Sequence, residues 1–382
     1  MKIAAICDFP YWERKIGSAV RFDSVCRSVS RHAELTVICS VSLPSTYFQF
    51  CQSAPYEIVD RARLKEIDAG LPQSWVPGLR RDRQMTVRSI KHVVEEGSFD
   101  AVIIPYFNRS WMIDGIDPSV VRIIDTIDCQ SQRTRSFALQ GMSPTFQMTP
   151  EEEGKALDAF DLILSISDED SVEFSEITER PIVTAPFRLS IPDISERRKQ
   201  EAASEDNREL LFIAARSEVN DLTLNFLLTQ ILPLVPGQVT LNIVGNVTVP
   251  SYYPENTTVV RHKNLDDIIP IYSKVALAVN PTFAGGGVKT KTLEAISLGV
   301  PIITTDEGAR GLRPLVPDSL IVNDKESFAY MIGYLLDRPE ELTALSKEIL
   351  LRVKAEASNA WVPVFVQLVS AIRIEKTAKR AG

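Results

Sequence analysis

Residues 280–305 read NPTFAGGGVKTKTLEAISLGVPIITT, a sequence that predicts a glycine-rich turn followed by a helix and a strand. The apolar run 274–279 before it, KVALAV, predicts a parallel strand that is covered on both faces. The glycines Gly285, Gly286 and Gly287 would therefore lie between that strand and a helix beginning near Val288. Because backbone N–H groups at a helix start attract anions, the turn is predicted to bind one.

Lys289 and Lys291 stand in the first turn of this predicted helix, where acidic residues are usual. A cation there opposes the helix dipole by about 0.3–1 kcal/mol, and a bound diphosphate would reverse that sign. Glu294, one turn deeper, could then accept hydrogen bonds from sugar hydroxyls of the same ligand. The alternative interpretation is a turn needed for tight packing, two solvated lysines, and a Lys291–Glu294 pair worth about 0.2–0.5 kcal/mol.

The segment 285–312, GGGVKTKTLEAISLGVPIITTDEGARGL, resembles the donor-binding segment of the family 4 glycosyltransferases. The resemblance is to the branch in which GxGVKxKxLEA replaces the commoner EGFG…E. It implies an α/β protein with the GT-B fold, in which two Rossmann-like doubly wound domains face each other across a cleft. In most of that family a Glu lies eight residues before the position of Glu294, and here that position is Gly286. The donor-binding residues that the resemblance implies in this segment are Gly285, Gly286, Gly287, Val288, Lys289, Thr290, Lys291 and Glu294, with Glu294 orienting the ribose.

Length and composition indicate two domains in a folded protein, because 382 residues exceed one ordinary core. We expect an N-terminal acceptor-binding domain at 1–190, a nucleotide-sugar-binding domain at 205–357, and a C-terminal helix at 358–382 that crosses back to the first domain. The charged stretch 186–207 between the domains predicts a linker that buries little. A net charge of −8 argues against a general nucleic-acid binder, which needs a basic surface.

The cellular location is predicted from the cysteines and the N-terminus. The five cysteines are odd in number and lack metal-ligand spacing, which suggests reduced core residues in a cytoplasmic protein. The N-terminus reads as a strand, and no apolar run is long enough to span a membrane. Basic and aromatic residues in 61–92 could make a peripheral contact with the inner face of a membrane, although interspersed acids favour a solvated helix pair.

A strand, a loop and a helix at the start of the chain place Gly17 at a crevice where such folds bind ligands. The resemblance implies that Gly17 and Arg21 lie beside the donor diphosphate. The alternative is a loop glycine and a surface arginine. The resemblance also places Arg216, after the first strand of the second domain, near the phosphates, while the lysine usual a few residues later is absent. Lys289 or Lys291 would supply that charge instead.

The segment 125–133, DTIDCQSQR, follows another predicted strand and resembles the family string DTHDxxSxR, with Ile127 in place of a His. A proton acceptor there would be Asp125 or Asp128, or none. The alternative is that both acids cap the next helix. Three consecutive acids at 168–170 more often cap a helix than bind a metal, so no metal site is expected.

The function expected from the resemblance is transfer of a sugar from a nucleotide-diphosphate sugar to a glycan, lipid-linked or small-molecule acceptor, with retention of configuration. No cofactor and no obligatory metal are expected. Lys291 would act catalytically by stabilising the departing diphosphate, together with the glycine amides, the helix dipole, Lys289 and Arg216. Two other classes stay open, a nucleotide-sugar epimerase or hydrolase on the same fold and a non-catalytic nucleotide-sugar-binding protein.

Overall fold

The structure is a computed structural model that describes residues 1–13, 16–74, 78–189, 191–201, 206–263, 265, 267–356 and 359–381. The chain forms two compact units. The first comprises Met1–Gln132, Phe146–Phe187 and Ser358–Gly382, and the second comprises Arg133–Thr145 and Arg188–Ala357. Each unit is built on its own sheet.

The first unit contains a parallel sheet made of short apolar strands. Its described strands are β1 (Lys2–Cys7), β2 (Glu34–Cys39), β3 (Glu57–Val59), β4 (Ala101–Pro105), β5 (Val121–Asp125), β6 (Leu162–Ser165) and β7 (Ile182–Thr184). They pair in the order β3-β2-β1-β4-β5-β6-β7. Strand order reverses between β1 and β4, the point at which open parallel sheets bind ligands at their carboxyl ends.

The helices of this part of the chain connect successive parallel strands, as a doubly wound sheet requires. They are α1 (Gly17–Val29), α2 (Phe48–Ser53), α3 (Arg61–Ala69), α4 (Gln84–Glu96), α5 (Gln130–Ala138), α6 (Pro150–Leu157) and α7 (Asp168–Ser175). Most of α5, from Arg133 onward, belongs to the second unit. Helix α6 begins with a reciprocal capping box, which Thr149 and Glu152 form around Pro150.

The second unit has a smaller parallel sheet. Its described strands are β8 (Glu209–Ile213), β9 (Val239–Val244), β10 (Thr257–His262), β11 (Leu277–Asn280) and β12 (Ile302–Thr304), in the order β10-β9-β8-β11-β12. The helices from residue 188 onward are α8 (Ser195–Glu201), α9 (Glu218–Phe226), α10 (Ile269–Lys274), α11 (Thr290–Ser297), α12 (Asp306–Ala309), α13 (Lys325–Leu336), α14 (Pro339–Ala355) and α15 (Trp361–Ala381). The strand order reverses between β8 and β11, and β11 leads into the glycine turn.

Helix α8, in the predicted linker, and helix α15, the last helix, both bury side chains. Helix α8 lies within the predicted linker, and its Arg198 is only 9% exposed, so the prediction that this segment buries little is wrong there. Helix α15 belongs to the first unit, where Phe365 and Val369 are fully buried in the core with the β1 side chains Ile3 and Ala5. None of the helices in the described ranges is long and apolar enough to cross a membrane.

Candidate functional site

The glycine turn of the second unit is shaped by close approaches. Gly287 has φ +55°, in the left-handed region that favours glycine. A Cβ atom at Gly286 would lie 2.7 Å from the Cβ of Arg133, so that position accepts no side chain without movement. The Gly285 amide donates a hydrogen bond of 3.1 Å to the Ser136 hydroxyl. This amide, which the sequence predicts to face an anion, therefore already has a partner, and Arg133 and Ser136 are neighbours that sequence reasoning missed.

Lys289 is bound to the turn. Its Nζ donates to the carbonyl oxygens of Gly286 at 3.3 Å and Gly287 at 3.2 Å, and lies 2.6 Å from Glu307 Oε1. The ion pair is mostly buried, with the Lys289 and Glu307 side chains 12% and 17% exposed. Glu307 belongs to α12, after β12, and no sequence pattern pointed to it. Lys289 therefore holds the turn to α12, and Glu307 neutralises its charge beneath the glycines.

Lys291 points back toward β8. Its Nζ donates to Asn220 Oδ1 at 2.9 Å and lies 5.2 Å from the centre of the Phe212 ring. Among the described residues it has no carboxylate partner. Burial, and then repulsion from the Lys289 ammonium, lower the pKa of Lys291 to about 7. A buried cation without a counter-charge, at the point where the strand order reverses, is poised to bind an anion.

The pKa of Glu294, one turn further along α11, is shifted in the opposite direction. Burial raises the pKa of Glu294 to about 7, and the Tyr272 hydroxyl, 3.5 Å from Oε2, opposes that rise. Tyr272 comes from α10 and is itself buried. The structure records no Lys291–Glu294 ion pair between these two described residues. The alternative interpretation, two solvated lysines with that local pair, is therefore wrong.

A buried hydrogen-bond network fixes α11 against the sheet. Asn280, the last residue of β11, donates from Nδ2 to Thr292 Oγ1 at 3.0 Å, and Thr292 donates to the carbonyl of Gly308 at 2.9 Å. Thr304 donates to the carbonyl of Asn280 at 2.9 Å. These bonds join β11, α11, β12 and α12, and they explain why the first turn of α11 keeps one orientation.

The remaining predicted residues of the second unit frame this cluster. Helix α11 begins at Thr290, with Lys289 at the N-cap position and Val288 just before it, two residues later than predicted. Val288 and Thr290 are half-buried. Arg216 follows β8 and is exposed, and its guanidinium has no ionic partner among the described residues. The structure thus brings Arg216, the glycine turn and Lys291 to the carboxyl ends of β8 and β11.

Arg21 and Asp125, both in the first unit, form a buried ion pair. Their oxygen and nitrogen atoms lie 2.9 Å apart, each side chain is 1% exposed, and Arg21 also donates to the carbonyl of Ala185. Each group is therefore the other's counter-charge in this structure. The donor-binding role of Arg21 and the proton-accepting role of Asp125 stay predictions. Gly17 is the first residue of α1 and is half-buried.

Asp128 lies in a strained region at the ends of β4 and β5. It is 9% exposed, and its Oδ1 accepts a hydrogen bond from Gln130 Nε2. Burial, and next the charge of Asp128, raise the pKa of Tyr106 to about 12. Tyr106 and Ile127 have φ of +63° and +65°, a conformation that is an outlier for a bulky residue such as Tyr and for a β-branched one such as Ile. Such strain concentrates at functional sites.

The helix that follows the two aspartates is capped by a residue from further along the chain. Glu153 of α6, fully buried, accepts from the backbone amides of Gln130 and Ser131 at 2.8 Å each, and so caps the start of α5. At the acidic string 168–170, Ser167 caps α7. Across the ranges that the structure describes, no group of three His, Cys, Asp or Glu side chains is placed to hold a metal ion.

The basic stretch 61–92 forms the helix pair α3 and α4. Arg88 donates to both carboxylate oxygens of Asp68, at 2.9 and 3.0 Å, and Arg63 pairs with Glu66 at 2.9 Å. Residues 75–77 lie outside the described residues. Several of the basic residues that suggested a membrane contact are thus neutralised by acids of the same helix pair.

Comparison with known proteins identifies the second unit. Residues 207–338 match the family model described as Glycosyl transferases group 1. The whole chain is similar in structure to sucrose-phosphate synthase from Thermosynechococcus elongatus, with TM-score 0.69, 14% identity and coverage of 97% of this chain and 100% of that one. It is also similar to Anabaena HepE in complex with UDP and glucose, with TM-score 0.64, 13% identity and coverage of 97% and 100%. A third structure, a Staphylococcus aureus TarM variant with fondaparinux, alpha-GlcNAc-glycerol and UDP, gives TM-score 0.70, 9% identity and coverage of 97% and 100%. A search of curated proteins finds no match.

Residues 207–338 are therefore a glycosyltransferase domain. The two-unit architecture is the GT-B fold, as predicted. The glycosyltransferase match runs from the start of β8 to the end of α13 and contains every residue of the second-unit site except those on α5. Arg133 and Ser136, which touch the glycine turn, lie outside it.

Proposed function

We propose that this glycosyltransferase belongs to family 4 and transfers a sugar, with retention, from a nucleoside-diphosphate sugar held by the second unit. The single observation that carries the proposal is Lys291, a buried amine with no carboxylate partner among the described residues. An uncompensated buried cation is unfavourable unless an anion binds beside it. The diphosphate of the donor is such an anion.

The diphosphate would be stabilised by charges already in place. Lys291 lies at the switch point and Arg216 follows β8 at the same end of the sheet, while Lys289, paired with Glu307, holds the turn in place. As the bond from the sugar to the diphosphate breaks, negative charge grows on the leaving group. Cations that are already held in place stabilise that charge without having to reorganise. In many enzymes such electrostatic stabilisation is the largest single contribution to catalysis. No metal is needed in this scheme.

Glu294 is proposed to accept hydrogen bonds from the donor ribose. Its raised pKa means that ionisation is unfavourable in the free protein, and two donating hydroxyls would favour the carboxylate. Glu307 is a second carboxylate beside the turn, because a Cβ at Gly285 would lie 3.3 Å from Glu307 Oε1. We propose that Glu307 replaces, from another part of the chain, the carboxylate that related sequences carry at the position of Gly286.

The acceptor, a glycan, lipid-linked or small molecule, is proposed to bind the first unit near Gly17 and Asp128. With Asp125 paired to Arg21, Asp128 is the candidate proposed for the proton acceptor. If the acceptor is lipid-linked, the exposed Arg61, Lys65 and Arg81 of the α3–α4 region are the residues that would contact the inner face of an anionic membrane.

A thermal-shift screen of nucleoside-diphosphate sugars tests the donor proposal, because a ligand that binds the native state raises apparent stability. Uridine-diphosphate sugars come first, since the HepE and TarM structures contain UDP. The Lys291→Ala variant should lose the shift produced by the best donor, while Lys325→Ala, on the surface of α13, should keep it. An undiminished shift in Lys291→Ala would refute the phosphate-binding role.

Donor consumption with and without acceptor then separates the function classes. A transferase consumes donor faster when a suitable acceptor is added, whereas a hydrolase or epimerase converts the donor alone. Binding without any turnover, across donors and acceptors, would indicate a non-catalytic binding protein.

A further inference from the structure

A cavity of the second unit lies at the amino-terminal ends of its strands. It has a volume of about 500 Å³ and is lined by residues of α8, α13 and α14 together with Asn207 and Ala276. These two residues precede β8 and β11, whereas the glycine turn follows the carboxyl end of β11. The cavity is therefore separate from the proposed donor site. Its volume falls in the range of about 300–1,000 Å³ that small-molecule sites occupy.

The charge of this cavity is unusual for an acidic protein. Of the described residues that line it, Arg198, Lys199 and Lys347 are cationic and none is acidic. The chain as a whole has 50 acidic residues against 42 lysines and arginines. Lys199 pairs with Glu196 outside the cavity, at 2.5 Å, while Lys347 has no acidic partner in the described part of the chain. The site therefore offers positive charge to a ligand.

Arg198 is the most constrained of these cations. It is 9% exposed, and its Nη1 donates to the carbonyl oxygens of Tyr272 at 2.5 Å and Val275 at 3.1 Å. Within the described residues no carboxylate pairs with it, and its Nε and Nη2 have no hydrogen-bond partner. Burial lowers the pKa of Arg198 to about 10. Buried guanidinium groups are ordinarily paired, so an unpaired one that lines a cavity indicates a site for an anion.

The rest of the wall is apolar. Leu336, Leu342 and Leu350 line the cavity beside the cations, together with Ala276 and Pro339. An inorganic anion would leave this surface in contact with water, and a neutral apolar molecule would leave the cations unpaired. We propose that the cavity binds an anionic amphiphile, a carboxylate or phosphate group carried on an apolar chain.

Isothermal titration calorimetry of the full chain with octyl phosphate, octanol and inorganic phosphate tests this proposal. Octyl phosphate should bind saturably and at least about tenfold more tightly than the other two, because only it satisfies both the cations and the leucines. Lys347→Glu should weaken binding about tenfold or more, and Leu342→Trp, which fills the cavity, should abolish it. Lys325→Glu makes the same charge change on α13 away from the cavity and should bind as the parent does.

Three results would overturn the proposal: equal affinity for octanol and octyl phosphate, unchanged affinity in Lys347→Glu, or retained binding in Leu342→Trp. The variants avoid Arg198, whose replacement would also remove contacts to α10. Sedimentation with phosphatidylglycerol vesicles identifies the source of the ligand. Vesicle binding that is lost in Leu342→Trp indicates a membrane lipid, while octyl phosphate binding without vesicle binding indicates a free amphiphile.

Discussion

Arg21 and Lys291 are buried cations at the carboxyl edges of the two sheets, and they differ in their partners. In the first unit, Arg21 and Asp125 neutralise each other, and both are 1% exposed. In the second unit, Lys291 contacts an amide oxygen and an aromatic ring, and burial lowers its pKa to about 7. A paired charge stabilises a particular structure, whereas an unpaired one is held at a cost that a ligand can remove. The difference distinguishes a structural pair from a binding group.

The largest effect is expected at the paired charge. Arg21→Met leaves Asp125 buried without a partner, so we expect the free energy of unfolding to fall by about 3–5 kcal/mol. Urea denaturation measures this change. The double variant Arg21→Met, Asp125→Leu removes both charges and should recover much of the loss. A single variant as stable as the parent would show that the comparison is wrong.

Replacing Lys291, the unpaired charge, should lower activity and leave stability intact. Lys291→Ala should lower kcat/KM for the donor by about 10²–10³, the cost of removing one electrostatic contact to a developing charge. Its stability should stay equal to or above that of the parent, because the variant removes a buried cation with no counter-charge. Steady-state kinetics and urea denaturation of the same preparation check both halves, with Lys325→Ala as the control. A large loss of stability would show that Lys291 stabilises the fold, as the Arg21–Asp125 pair does.

The packing of the glycine turn gives a smaller effect. Gly286→Ala places a Cβ atom 2.7 Å from the Cβ of Arg133 and should destabilise the protein by about 1–3 kcal/mol through overpacking. Gly141→Ala serves as a control for a glycine with open space around it, where the cost comes only from its φ of +67°. Thermal unfolding compares the two. If Gly286→Ala leaves the stability of the protein unchanged, the close approach of Arg133 is not a constraint on this position.

The smallest effect is a pH dependence of donor affinity. Lys291 has a lowered pKa of about 7, so its charged form is lost as the pH rises through 7. A diphosphate favours the charged form of Lys291, so loss of this charge should lower donor affinity by up to about tenfold per pH unit above about pH 8. Nearer pH 7, ionisation of Glu294, whose pKa is raised to about 7, favours binding of the ribose and opposes this fall. Calorimetric Kd values between pH 6 and 9 measure the slope, and Lys291→Arg, which stays charged, should flatten it. An equal slope in Lys291→Arg would assign the titration to another group.

Much of the second unit was predictable because its signals are local. The apolar run before residue 280, the three glycines and the helical spacing after Val288 are read within one short stretch, and the parallel sheet and glycine turn follow from them. The helix start was off by two residues, since a Lys at the N-cap gives no capping signal. Lys291 was singled out for the same local reason, a cation where acids are usual.

The partners of these residues were not predictable, because they are distant in the chain. Glu307, Asn220 and Ser136 meet the turn through β12, α9 and α5, and no local pattern connects them. Arg21 and Asp125 illustrate the same limit in the first unit, where two residues that resembled ligand contacts proved to be each other's counter-charges.

The sequence by itself determined the alternation of strands and helices, the position of the glycine turn and the types of charged side chain near it. These depend on periodicity and on backbone preferences, which act over a few residues. Only the tertiary structure decided which charges are paired and which are left for a ligand. Pairing and burial depend on groups brought together from far apart in the chain. The free-energy cost of burying a charge therefore cannot be read from the residues next to it in the sequence.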